Sequence, residues 1–502
     1  MPRVHDYYAE AEQAAADDNF HGRSRAEVDE AFYGPDGVDG DDDDDDSLGS
    51  WGQSFNPYEQ IENEDYDDLE ELRLLFRRRK QSRKIKCQHQ RKDWQTHRED
   101  LIYTNEWESR FRMSPEHFDV LLEELREALT VSVRHSLSST SGNEPIHPEV
   151  ILAIGLRFCG LGEGFKSVAD IYGISVASAK RVVQMFLDAV DYNDTFPPLQ
   201  LVLPDPSNLD ELLDLANRWN DVSTSMGLFK GFLGPLDGWL PRTEAPKDVP
   251  NQGAYYSGHY QCYGLNCQAL CDPDLLFMYF CIAAPGKTND VRAFDRCSDL
   301  KQWLAALPPE FFAGGDNAYI LTRKLLTPYT KAEMKNDTYK RSYNFYFSQL
   351  RIRIEMAFGL LSTKWRILRN ILNYYNRKNA QIIRVCTKLH NFCIRMKKND
   401  GVYVTPQVRG DAESLNPIEY GVMALQWGKK ANQVRRWGYC DASPVENTNV
   451  QQEVLDYEQL VPPDDSRREE IWIQCRERQQ IRPEHNVARN RNLEYDDEDD
   501  SD

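Results

Sequence analysis

Along residues 350–365, "LRIRIEMAFGLLSTKW", apolar side chains return every three or four positions, the period of a helix. At about 100° per residue, Leu350, Ile354, Ala357, Phe358, Leu361, Trp365 and Leu368 form one apolar face. Ile352, Met356, Leu360 and Ile367 form a second, nearly opposite, and a narrow strip of Arg351, Glu355, Gly359, Ser362 and Arg366 runs between them. A helix apolar on two faces is largely buried. The pattern therefore predicts a helix over about 346–370 with Glu355 beside the core.

Upstream, the same period fills residues 100–190. In "MSPEHFDVLLEELREAL", Ser114 is placed as N-cap and Pro115 at the first helical position, and Phe118, Leu121, Leu122 and Leu125 follow at helical spacing. A second helix is predicted around Pro148–Phe158. Residues 165–190 read as a short helix (Ser167–Tyr172), a turn at Gly173–Ile174 and a longer helix capped by Ser175. This is the helix-turn-helix pattern; an ordinary helical hairpin fits the same residues. Ala177, Ser178, Lys180 and Arg181 stand where such a helix would face DNA. Residues 191–227 are a Pro-rich linker and a connecting helix capped by Ser207. Beyond 228 the texture turns to strands: "LFKGFLGPLDGWL" ending at Asp237, "HYQCYGLNCQAL" and "LLFMYFCIAA" joined by the turn "CDPD", and "EFFAGGDNAYI" ending at Asp316. Helices are predicted over 290–307 and over "AQIIRVCTKLHNFCIRM". Three strands, a helix, a strand and then helices make 228–396 an α/β sandwich. Residues 397–502 read as a mostly flexible tail with one helical island near Arg467–Gln480.

Charge changes this picture at the ends. The net charge is −21, but residues 1–70 carry 23 acidic and 3 basic side chains, and "EYDDEDDSD" at the end adds −7. Subtracting both leaves +6 for 71–493. The acidic ends read as disordered, since they bury too little apolar surface to offset ordering entropy. In "RRRKQSRKIKCQHQRK" (77–92), nine of sixteen residues are Arg or Lys. That suits a nuclear-import signal or a phosphate-binding arm, or a solvated basic linker. Residues 1–92 thus form an acidic tail followed by a basic segment. The expected place is the nucleus. No apolar run reaches the roughly 18 residues of a membrane span, and the eleven cysteines lack CxxC pairs, which points away from zinc modules.

Asp237 and Asp316 each end an apolar strand and are followed by Gly or Asn. Either alone reads as a turn residue; together they lie where α/β sites gather. Glu355 has two readings: an ion pair with Arg351 four residues earlier, or a ligand. Two strand-end Asp and one helical Glu suit a hard cation, Mg²⁺ or Mn²⁺, in a pair of ions that would activate water and stabilise a leaving 3′ oxygen. Arg351 would orient Glu355 or contact DNA. Asp290 could join the site, but it stands at a helix start and reads as a cap; Asp272 and Asp274 read as hairpin-turn residues, and His390 and Asn391 as core residues. No P-loop, GxSxG or HExxH competes.

The pieces "GPLDGWL", "YYSGHYQCYGLNCQAL", "PGKTNDVRAF", "GDNAYILTRKLLTPY", "RIRIEMAFGLLSTKWRIL" and "KLHNFCI" resemble, in order, those of the Harbinger (P instability factor) transposases and the nucleases derived from them. The resemblance covers about 228–396, and 105–190 resembles the family's upstream helix-turn-helix segment. It implies an RNase H-like core with an Asp-Asp-Glu triad, carried here by Asp237, Asp316 and Glu355. It implies a metal-dependent DNA nuclease or transposase that cuts at terminal inverted repeats and joins the freed 3′-OH to target DNA. A Myb-like DNA-binding accessory protein, and a homo-oligomer, are partners of the kind such proteins use. Trp239 and Leu240 depart from the polar or small pair that many members carry after Asp-Gly. A domesticated protein that binds DNA without cutting is the alternative, and an RNA-directed nuclease of the same fold a remoter one.

Overall fold

The computed structural model describes residues 90–132, 144–406 and 457–482. The expectations for 1–70, for most of the basic run and for the acidic C-terminus lie outside the described residues.

Six helices come first: α1 (Trp94–Tyr103), α2 (Trp107–Phe111), α3 (Pro115–Leu125), α4 (Pro148–Leu161), α5 (Phe165–Tyr172) and α6 (Val176–Asp191). Their ends follow local chemistry. The Ser114 side chain accepts the His117 N–H, and Ser175 accepts that of Ser178. Gly173 closes α5 in the left-handed conformation. Helix α7 (Leu209–Asp221) is capped by Asn208, not Ser207, because the Asn208 side chain accepts the Glu211 N–H.

The sheet contains β1 (Phe232–Trp239), β4 (Leu265–Cys271), β5 (Phe277–Pro285), β6 (Phe312–Gly314) and β7 (Leu325–Leu326), in the order β5-β4-β1-β6-β7. A small ribbon of β2 (Tyr256–Ser257) and β3 (Cys262–Tyr263) stands apart from it. β5, β4 and β1 are antiparallel, and β6 and β7 run parallel to β1. This mixed sheet between helices is consistent with an RNase H-like domain. The β4–β5 turn is set by Asp272, whose Oδ1 accepts the N–H groups of Asp274 and Leu276, both at 2.9 Å. Asp272 and Asp274 are thus turn residues.

The helix expected over 290–307 is two, α8 (Asp290–Asp295) and α9 (Ser298–Ala306), with Asn289 rather than Asp290 as the cap of α8. The long helix, α10, spans Thr338–Lys364, starting earlier and ending sooner than its apolar pattern suggests. Asp337 caps its start, and Trp365, fully buried, leaves helical geometry so that Arg366–Arg369 form a 3-10 turn. Ile352 is 40% exposed, so α10 buries one broad face rather than two. Then come α11 (Asn376–Asn399), α12 (Tyr457–Leu460) and α13 (Ser466–Glu477). The helical island in the C-terminal region is α13, and it packs on α10 with Ile471 and Cys475 buried.

Two apolar clusters lie on the two faces of the sheet. One joins residues of α1–α6 with Cys267 and Ala269 of β4, with Ile354, Phe358 and Leu361 of α10, and with α11. The other joins α7, Leu236, Leu270, α8, α9, β6 and the Tyr343–Leu350 part of α10. Helix α10 therefore passes from one core to the other between Leu350 and Ile354. α6 is also tied to α11 by polar contacts: Gln381 accepts from Gln184 at 2.9 Å and donates to Asp188 at 2.7 Å, and Arg384 pairs with Asp191 at 2.5 Å.

Candidate functional site

β1 and β6, parallel neighbours, end at one edge of the sheet. Asp237 pairs in register with Ala269, and Trp239 with Cys267, so both side chains lie on the α10 face. The Trp239 indole stacks on Phe358 at 5.5 Å, which fixes β1 against α10 and gives the Trp of "DGW" a packing role. Asp237 lies within β1, two residues before its end.

Where α10 changes cores, it presents Arg351 and Glu355 to this edge. Arg351 Nη1 donates to Asp237 Oδ2 at 3.1 Å, and Arg351 Nη2 lies 2.5 Å from Glu355 Oε1. The ion-pair reading of Glu355 therefore holds, and the pair extends to Asp237. The Glu355 side chain is 48% exposed, so it faces solvent rather than lying beside the core. Asp316 follows β6; its Oδ1 accepts the Ala318 N–H at 2.8 Å and so closes a tight turn.

The electrostatics join all three carboxylates. Burial pushes the Asp237 carboxyl up from 3.8 to about 7; Arg351 opposes this, while Asp316 and Glu355 add to it. Asp316 is also raised by burial, with the Ala318 N–H and Arg351 opposing and Asp290 and Glu355 adding. Burial works against the Arg351 charge, but Glu355 and Asp237 more than offset it and raise its pKa.

Among the described residues, no three His, Cys, Asp or Glu side chains close into a ready ligand set. The Arg351 guanidinium bridges two of the three carboxylates, Asp237 and Glu355, where a cation would lie. The donors still fit a hard dication, being all oxygen, surplus in negative charge and partly open to water. Asp237, Asp316 and Glu355 are the residues that would hold it.

Ser178, Lys180 and Arg181 stand on a different helix, α6. Lys180 and Arg181 are exposed. Ser178 is half-buried, its N–H bonded to Ser175 Oγ at 3.1 Å and its Oγ accepting from Arg181 at 3.3 Å. His390 and Asn391 are core residues: His390 contacts the Leu275 carbonyl at 2.8 Å, and Asn391 bonds both backbone groups of Phe277.

Sequence reasoning missed the amides Asn266 and Gln268 and the phenol of Tyr319, which bond one another and Asp290 behind the site. The signal was available as two amides at alternate positions of the apolar strand "LNCQALC". It also missed Arg353, fully buried and donating to the backbone carbonyls of Pro273 (2.7 Å) and Pro406.

Residues 236–391 match the family described as DDE superfamily endonuclease. The chain is 24% identical over 305 residues to "Protein ALP1-like" of Arabidopsis thaliana, covering 58% of this chain and 71% of that protein. It is 26% identical over 262 residues to "Putative nuclease HARBI1" of Mus musculus, covering 51% of this chain and 70% of that protein. No solved structure gives a significant match. Among the described residues, no helix is long and apolar enough to cross a membrane.

Proposed function

We propose, from the match of residues 236–391 to the DDE superfamily endonuclease family and the likeness to an ALP1-like protein and a putative nuclease, that this is a metal-dependent DNA endonuclease of the kind derived from Harbinger transposases. Its finer activity is cleavage of phosphodiester bonds at transposon ends, with transfer of the 3′-OH to target DNA. The observation that supports this reading is the meeting of Asp237, Glu355 and Arg351 at the sheet edge beside the Asp316 turn.

A divalent ion, Mg²⁺ or Mn²⁺ and in such chemistry two of them, supplies a lowered water pKa and charge neutralisation at the leaving oxygen. The chain's own residues do the positioning. Asp237 is fixed in a strand and half-buried. Glu355 projects to solvent from a helix anchored by Ile354 and Phe358. Arg351 offsets part of the carboxylates' charge; its planar fork is also suited to a phosphate of the DNA backbone. On α6, exposed Lys180 and Arg181, with Ser178 beside them, would grip DNA in helix-turn-helix fashion. The basic run 77–92 would serve nuclear import. A Myb-like accessory protein and a second copy of the chain are the proposed partners.

One observation favours the second reading, DNA binding without cutting: Arg351 already satisfies two of the three carboxylates. Cleavage separates the two readings. The full chain is incubated with Mg²⁺ or Mn²⁺ and a plasmid carrying the DNA on either side of the gene, with any inverted repeats it holds. Asp316→Asn and Glu355→Gln are expected to lower cleavage by roughly 10²-fold or more with DNA binding kept. Undiminished cleavage by either variant removes the site assignment, and binding without cleavage by the parent chain leaves the second reading.

A further inference from the structure

We propose that Asp290 is a fourth carboxylate of the cation site, an inference that rests on the nuclease reading above. β4 is buried along its whole length, yet two of its residues are amides, Asn266 at 6% and Gln268 at 0% exposure. They share the face opposite to Cys267 and Ala269. A buried amide is costly without partners, so the destination of its hydrogen bonds shows what it is for.

Both amides reach Asp290. Asn266 Nδ2 donates to Asp290 Oδ1 at 3.0 Å, and Gln268 Nε2 donates to the same oxygen at 3.3 Å. Gln268 Nε2 also donates to Asn266 Oδ1 at 2.8 Å. The Gln268 Oε1 accepts from the Tyr319 hydroxyl at 2.6 Å. Tyr319 closes the turn begun by Asp316, its N–H reaching the Asp316 carbonyl at 3.3 Å. One buried side chain thus fixes both Asp290 and the Asp316 turn. The network is a supporting shell of the sort that orients ligands.

The neighbour of Asp237 makes room for it. A methyl on Gly238 would lie 2.3 Å from Asp290 Oδ1, so the approach of this carboxylate to β1 depends on glycine after Asp237. Gly238 pairs in register with Gln268. Asp237 and Asp290 therefore reach the same strand end from the two faces of the sheet. A plain first-turn acid would need none of this, since Asn289 already caps α8 by accepting the Arg292 N–H at 3.0 Å. Both amide bonds to Asp290 go to Oδ1.

Asp290→Asn tests this cleanly. The amide oxygen can still accept from Asn266 and Gln268, so a purely structural role survives, while the charge is lost. Mn²⁺ affinity is measured by electron paramagnetic resonance on the full chain, with thermal melting alongside. The parent is expected to bind Mn²⁺, and Asp290→Asn and Asp316→Asn each to bind at least tenfold more weakly. Asp290→Asn is expected to melt within a few degrees of the parent. Should it melt far lower, Asp290→Ser is read in the same way. Parental Mn²⁺ affinity in the Asp290 variant, with Asp316→Asn weakened, overturns the role of Asp290 alone. Parental affinity in Asp316→Asn, or no binding by the parent, overturns the nuclease reading and this inference with it.

Discussion

Nη1 of Arg351 lies 3.1 Å from Oδ2 of Asp237, so a half-buried carboxylate in an overcharged site is held by a guanidinium from the next layer. Removing that guanidinium leaves Asp237 half-buried beside Asp316 and Glu355. Arg351→Gln is expected to lose about 1–2 kcal/mol of stability without metal, less than a fully buried broken pair because the site is partly wet. Added Mn²⁺ should then raise its melting temperature more than that of the parent, since no arginine has to move aside. An equal Mn²⁺ gain in both proteins would count against the stand-in role of Arg351.

Two glycines in helices should respond in opposite directions. A methyl on Gly155 of α4 would sit 2.0 Å from Phe186 Cγ of α6, where the two helices cross. Gly155→Ala is expected to cost about 1–3 kcal/mol through overpacking. A methyl on Gly359 would meet nothing within 4 Å, so Gly359→Ala should gain about 0.5–1 kcal/mol from helix propensity. Denaturant unfolding of the two variants checks both signs.

Lys180 and Arg181 are exposed near the start of α6. If they meet DNA phosphates as proposed, the double change to Ala weakens binding to all sequences and lowers the salt slope of log K by about 2. Titration at several salt concentrations reads this directly. An unchanged slope returns α6 to a packing role.

His390 is one of two buried histidines that make the fold acid-sensitive, the other being His97, whose pKa burial also lowers to about 4. Burial lowers the His390 pKa from 6.5 to about 4, with the Leu275 carbonyl partly opposing. The folded chain then binds fewer protons than the unfolded one between those values. Stability from this group is whole above pH 6.5 and lost as pH falls toward 4, by up to a few kcal/mol. His390→Gln should flatten the decline between pH 6.5 and 4.5 in urea unfolding, though it lowers stability at pH 7.5.

Much of the fold was legible because its signals are local. Ser114, Ser175 and Gly173 announce helix ends by their own hydrogen bonds and dihedrals, and the alternating strands show Asp237 and Asp316 near their ends. What stayed hidden depends on distant partners. The end of α10 is set by Trp365, which the core pulls out of the helix although its position continues the apolar period. The exposure of Glu355 depends on how α10 tilts between two cores. The Arg351–Asp237 contact joins residues 114 positions apart, and no period records such a pair. The amides of β4 were visible as residues, but their purpose appears only when α8 folds back over the sheet.

The shared core of α6, α11 and α10 has a consequence for any DNA held by α6 while Glu355 works on it. Gln184, Gln381, Asp188, Asp191 and Arg384 lock α6 to α11, and α10 shares their apolar core. If α6 grips DNA and Glu355 cuts it as proposed, the two are the fixed jaws of a caliper: the reach between them would be machined into the packing, and a duplex of the wrong pitch would have to bend to fit.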